Sequence, residues 1–202
     1  MTRSFRARLC AALATSAAFG LLMCATPRAA LADGDDTALT NLISLASQRL
    51  ALAEPVARYK WAHHQPITDT PRENKLLDDV QRRAASAGLD PAFARAFFRD
   101  QIDASKDVQN ALFATWRATR PPEGPAPDLA TTTRPQLDEL TRTLIVALTR
   151  VAPLRDAPDC PSQVAQGIAN WKTLTRYDAA HSAALTRALG HVCASGGVGA
   201  TG

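Results

Sequence analysis

"DTALTNLISLASQRLALAEPVARYKWAHH", residues 36–64, sets Leu42, Leu45, Leu52 and Val56 at three- and four-residue intervals, with a longer step between Leu45 and Leu52. That period marks one face of an α-helix. The spacing predicts a first helix from about Asp36 to His64, bent at Pro55, whose ring removes a backbone donor and crowds the preceding turn. Arg49 and Lys60 are eleven residues apart, about three turns, so they share a face, and that face is the leucine stripe. A charge on a solvated face means little, whereas a charge on a packing seam needs a partner. The plain alternative is that both side chains bury their stems at the edge of a bundle and keep their charges in water.

The pattern continues downstream. Thr70, Pro71 and Glu73 in "TPRE" read as an N-cap, a first helical position and a capping-box acid, opening a second helix that stops near Gly88. Asp90 and Pro91 open a third helix, through about Ala118. A proline-rich connector, "RPPEGPAPDLATTT", follows, and further helices are expected at about 135–152, 161–176 and 178–193. No stretch reads as a strand, an internal repeat or a glycine-rich phosphate loop. The fold class is all-α, a bundle of about six helices. On the second helix Arg72 lies one turn from Leu76 and two from Val80; on the third, Ser105 and Gln109 continue the line of Phe98, Gln101 and Leu112 toward Trp116. Three helices thus each aim polar or cationic groups into their packing seam.

Before the first helix come Arg3, Arg6 and Arg8, the apolar run "LCAALATSAAFGLLMCA", and "ALA" at residues 30–32, the layout of a secretory signal cleaved near Ala32. The run is too short and too rich in alanine for a membrane span, so no membrane association is expected after cleavage. Cys24 could mark a lipoprotein, but Met23 stands where a small residue is wanted. Residues 1–32 hold Arg3, Arg6, Arg8 and Arg28 and no acid, so they account for the whole formal charge of +4. The remaining chain carries acids and bases in equal number, which removes the support that a basic pI would lend to nucleic-acid binding. Cys160 and Cys193 are then the remaining cysteines, and in an oxidising compartment an isolated pair reads as one disulfide. His63 and His64 are adjacent, so on a helix they point apart, and no H-x-x-x-H or H-E-x-x-H pattern accompanies them. No metal is expected.

The stretches "ASQRLALAEPVARYKW", "ITDTPREN" and "FFRDQIDASKDVQ" together resemble the all-helical chorismate mutases, and the signal segment, late cysteine pair and extended C-terminal half resemble their secreted subclass. The resemblance is carried by Arg49, Lys60, Arg72, Glu73, Ser105 and Gln109 in that order. It implies an intramolecular Claisen rearrangement of chorismate to prephenate. That reaction transfers no proton and forms no bond to the enzyme, so it needs no cofactor, metal or activated nucleophile. It needs a flexible dianion held in a chair-like geometry, with charge stabilised on the ether oxygen as its bond breaks. The resemblance implies that Lys60 and Gln109 donate to that oxygen, that Arg49 grips a carboxylate, that Arg72 and Ser105 complete the anion pocket, and that Glu73 and Asp69 hold the ring hydroxyl.

Several of these residues have a simpler reading. Glu73 can be only the capping-box acid, Asp69 a turn residue, and Ser105 a small residue at a helix contact. Small dimeric members take one arginine from the neighbouring subunit, near the start of their first helix; here that position falls at the cleavage junction, without an arginine. Arg134, in "TTTRPQL", resembles the residue that the secreted subclass uses instead, although it can also be a solvated arginine at a helix start. On this reading residues 33–202 form one domain, with the main catalytic helices in 33–119, the connector in 120–134 and pocket-completing helices in 135–195. A homodimer is left open. The rival expectation is a noncatalytic exported helical protein that binds a small dicarboxylate or a protein partner through the same cationic seam.

Overall fold

The structure, a computed structural model, describes residues 29–196; the arginine-led apolar segment expected to be a signal lies outside them. Among the described residues there are seven α-helices and no strand: α1 (Ala29–Ala51), α2 (Ala53–Ala62), α3 (Thr70–Ser86), α4 (Pro91–Ala118), α5 (Arg134–Val151), α6 (Cys160–Thr175) and α7 (Ala179–Ala188). Only Leu52 separates α1 from α2, so the two account for the single bent helix expected from the sequence. The break has a local cause. Pro55 cannot donate to the carbonyl of Ala51, and α1 ends at that residue.

The start of α3 differs from the expectation by one residue. Asp69, not Thr70, is the N-cap: its carboxylate accepts the Arg72 N–H at 3.2 Å, while Glu73 Oε1 accepts the Asp69 N–H at 3.3 Å. The reciprocal capping survives, with Thr70 and Pro71 drawn into the first turn, because aspartate caps better than threonine. At the other end Gly88 takes φ +71°, and the N–H groups of Gly88 and Leu89 close on the carbonyls of Ala85 and Ala84. This is the left-handed termination that glycine allows.

The long helix α4 is the centre of the bundle. α2, α3 and α7 pack directly on it, while α1 packs mainly on α5 and α6. Phe97 and Phe98 of α4 are wholly buried with Leu42 and Ile43 of α1, Leu77 and Val80 of α3, Leu144 and Leu148 of α5 and Leu185 of α7. A smaller cluster pins the end of α2 to α4: the Trp61 ring meets Phe113 and Trp116 edge-on, at centroid distances of 5.1 and 5.6 Å.

The connector is more ordered than its prolines suggest. Arg58 of α2 donates to the carbonyls of Glu123 and Pro125, and Asp128 then caps a single π-helical turn, Leu129–Thr133, that runs straight into α5. The last helix is shorter than expected, ending at Ala188 rather than near residue 193. The chain leaves it so that the His191 N–H can donate to Asp100 Oδ2 of α4 at 2.9 Å, with the His191 ring Nδ1 2.6 Å from the same oxygen. Gly190 makes room, since a Cβ there would lie 3.0 Å from that oxygen.

Cys160 and Cys193 form a disulfide across a 5.9 Å Cα–Cα separation, joining the first residue of α6 to the turn after α7. Neither cysteine lines the cavity described below. Closing a loop of this length stabilises a chain by about 4 kcal/mol on the chain-entropy argument. Reduction should therefore lower the melting temperature by on the order of 10 °C while leaving the rate at 25 °C nearly unchanged. Melting curves and kinetics with and without reductant check this, and two free thiols in the unreduced, denatured protein would contradict it.

Candidate active site

One cavity of about 470 Å³ opens between α1, α2, α3, α4, α5 and the π turn. Every residue that the resemblance placed at the substrate lines it: Arg49 from α1, Lys60 from α2, Asp69 before α3, Arg72 and Glu73 from α3, Ser105 and Gln109 from α4, and Arg134 from α5. Leu52, Val56 and Ile102 supply apolar wall between them. The leucine stripe that carries Arg49 and Lys60 thus divides its labour, with Leu42 and Leu45 in the core and the later residues in the pocket.

The cations are unequal, and the difference is one of depth. Arg49 is only 6% exposed, and its Nε has no hydrogen-bond partner. Burial lowers its pKa from the ordinary guanidinium value to about 10, with the charge of Asp138 on α5 acting in the opposite sense. Arg134 also has a buried Nε without a partner. Among the described residues neither Arg49, Lys60, Arg72 nor Arg134 is in an ion pair. At the mouth, by contrast, Arg83 is paired with Asp79 and Arg142 with Glu139, each acid lying on the same helix as its arginine.

Lys60 is held by donating to the carbonyl of Ile67 in the turn after α2. Burial pushes its pKa below the usual lysine value, against the opposing charges of Asp69 and Glu73. Gln109 is 3% exposed; its Nε2 donates to Ser105 O at 3.2 Å and to Ser105 Oγ at 3.1 Å, and its Oε1 is buried without a partner. Ser105 is therefore both a cavity wall and the tether of Gln109. Glu73 Oε1 closes the cap of α3, and the same residue lines the cavity.

Six charged residues that line the cavity were missed in the sequence: Lys75, Asp79, Arg83, Lys106, Asp138 and Arg142. Lys106 of α4 lies beside Glu73, and Asp138 lines the α5 wall near Arg49. Lys106 had a signal: it lies seven residues, about two turns, after Arg99, and both cations reach Glu73 across the α3–α4 contact. Asp138 had none beyond its place one turn after Arg134. His63 and His64 stay outside the cavity: His63 stacks on Tyr59 with ring centroids 4.1 Å apart, and His64 takes a left-handed φ of 52° where the chain turns away.

A cavity lined by unpaired cations, with Arg49 buried and Lys60 and Arg134 half-buried, and by amide or ammonium donors between apolar walls, suits a compact organic dianion. Comparison with known proteins agrees. Residues 36–110 match the family "Chorismate mutase type II". A secreted chorismate mutase of Mycobacterium tuberculosis is 31% identical over 188 residues, covering 90% of this chain and 92% of the relative. Its counterpart from Mycolicibacterium smegmatis is 32% identical over 183 residues, covering 90% of this chain and 99% of its own. The crystal structure of a chorismate mutase from Burkholderia thailandensis superposes with a TM-score of 0.76 at 72% identity, covering 78% of this chain and 99% of that one.

Proposed function

The chain belongs to the type II chorismate mutases, and from that premise we propose that the cavity between Arg49, Lys60, Gln109 and Arg134 converts chorismate to prephenate by confinement and electrostatic stabilisation. One observation carries this reading: two guanidinium nitrogens, from helices distant in sequence, are buried in one cavity without partners. A buried guanidinium nitrogen without a hydrogen-bond partner is unfavourable, and a dianionic substrate supplies carboxylate oxygens that can accept from both. No observation favours the rival, a noncatalytic binder of dicarboxylates.

In this assignment Arg49 takes one carboxylate through its planar fork, and Arg72 and Arg134 take the other. Lys60 and Gln109 donate to the ether oxygen. For Gln109 this means that Nε2 exchanges one of its two Ser105 acceptors for that oxygen. Glu73 accepts the ring hydroxyl, with Asp69 beside it holding the turn of α3 in register. The direct test follows loss of the chorismate diene absorbance on adding the protein; a rate no faster than the spontaneous rearrangement would defeat the reading.

Arg134 also supports a pocket completed within one chain, because the π turn brings it to the cavity without a second copy. Arg134→Ala should raise KM by ~10- to 100-fold, as expected for losing a charge-assisted contact to a desolvated anion. The effect should persist at concentrations where any dimer is apart. Normal kinetics in this variant would mean that the arginine comes from elsewhere. Export is supported by the arginine-led apolar segment with its small-residue motif near Ala32, and by the relatives named as secreted. Among the described residues no helix is long and apolar enough to cross a membrane.

A further inference from the structure

Lys106 stands one residue beyond Ser105 on α4, and its Nζ lies 3.3 Å from Glu73 Oε2 on α3 and 3.0 Å from Asp103 Oδ1 on its own helix. The partner oxygen, Glu73 Oε1, accepts the Asp69 N–H, and Arg99 approaches Oε2 at 3.5 Å. Both oxygens of this carboxylate are thus fixed, from two helices, at the cavity wall. The Lys106–Glu73 pair is not an ordinary surface pair. Its side chains are 22% and 13% exposed, against 55% and 63% for Arg142 and Glu139 at the mouth.

We infer that Lys106 is a positioning residue of the rearrangement: by bridging α4 to α3 it holds the Glu73 carboxylate in the orientation from which it accepts the substrate's ring hydroxyl. The inference rests on the reading of Glu73 proposed above. An untethered glutamate side chain has three rotatable bonds, and freezing them belongs to the cost of a productive complex; a carboxylate already held carries less of it. The tether also does not titrate away near neutrality. Burial works against the Lys106 charge, but the hydrogen bonds and charges of Asp103 and Glu73 together outweigh it and raise its pKa above the usual lysine value. Asp103 is approached in turn by Arg187 of α7 at 3.8 Å, so the bridge is braced from a third helix.

The test is a double-mutant cycle on the whole exported chain. Lys106→Met keeps the length and apolar stem of the side chain and removes its charge, and should lower kcat/KM by about tenfold, the scale of a lost orientation. Lys106→Arg, which restores a cation, should recover most of that loss. In a Glu73→Ala background the same Lys106→Met change should cost less than about twofold, because no carboxylate remains to be oriented. An equal loss in both backgrounds would overturn the inference, meaning that Lys106 touches the substrate itself or supports only the fold. If Glu73→Ala is impaired while Lys106→Met is not, the inference fails and the reading of Glu73 stands. If Glu73→Ala has normal kinetics, the hydroxyl assignment fails and the inference falls with it.

Discussion

Lys60→Ala is expected to lower kcat for chorismate rearrangement ~10²- to 10³-fold, the loss typical of removing one donor aimed at charge that develops in a transition state. The ether oxygen is nearly neutral in the substrate and gains charge only as its bond breaks, so a cation facing it acts on the barrier more than on binding. The loss should therefore fall on kcat more than on KM. Burial makes the donor effective by weakening the competing solvent, and it also pushes the Lys60 pKa below the usual lysine value. The sign follows: the active ammonium is lost as pH rises through the lowered pKa, so activity should decline on the alkaline side at a lower pH than an ordinary lysine would set. A rise in KM alone, with kcat intact, would assign Lys60 to a carboxylate and leave the ether oxygen to another donor.

Gln109→Glu should be comparably damaging at neutral pH, on the order of 10²-fold, and should reverse the direction of the acid limb. The glutamine amide donates at any pH because it does not titrate, whereas an ionised glutamate presents only acceptors to an oxygen becoming negative. Protonation restores a donor of nearly the same shape. The variant should thus gain activity as pH falls through the range where its glutamate takes up a proton, and the parent enzyme should show no such rise. Burial at this position raises the pH of that recovery, and the nearby cations lower it. Parallel pH profiles would mean that residue 109 does not face the reacting oxygen. The tether to Ser105 calls for an internal check, since an ionised glutamate can accept from the Ser105 hydroxyl but loses the donor that Gln109 gives to the Ser105 carbonyl. A lost rate with an unchanged melting temperature would separate chemistry from packing.

The cavity was legible because its cations interrupt apolar stripes whose period identifies the helices. Arg49 and Lys60 could be assigned to one face from eleven residues of spacing alone, and that face lines the cavity over its later half. What escaped depended on choices between neighbours or on distant parts of the chain. Asp69 and Thr70 are both competent caps, and the backbone settled on the stronger. The connector reads as proline-rich coil, but Arg58, sixty-five residues before Glu123, turns its carbonyls into anchors and lets a π turn form before α5. The early end of α7 follows from Asp100, ninety-one residues before His191, which captures an N–H that a continued helix would have used. Lys106 was not singled out in the sequence, because its partner Glu73 is on another helix. It became part of the cavity only when α3 brought Glu73 alongside.

The contrast between paired arginines at the mouth and unpaired ones inside also bears on how a ligand is chosen. Arg83 and Arg142 share their charge with Asp79 and Glu139 where solvent and salt screen what remains, while Arg49 keeps its charge in the interior and the half-buried Arg134 keeps a buried Nε. A field arranged this way fades within about one Debye length of the opening, ~8 Å at physiological ionic strength. Only the exposed Arg72 and Lys75, in no ion pair among the described residues, meet anions first, and the inner part of the pocket acts later. It sorts them after contact, by whether two negative charges can reach the inner guanidinium groups at once, so a monoanion of the same shape would enter as readily and leave sooner.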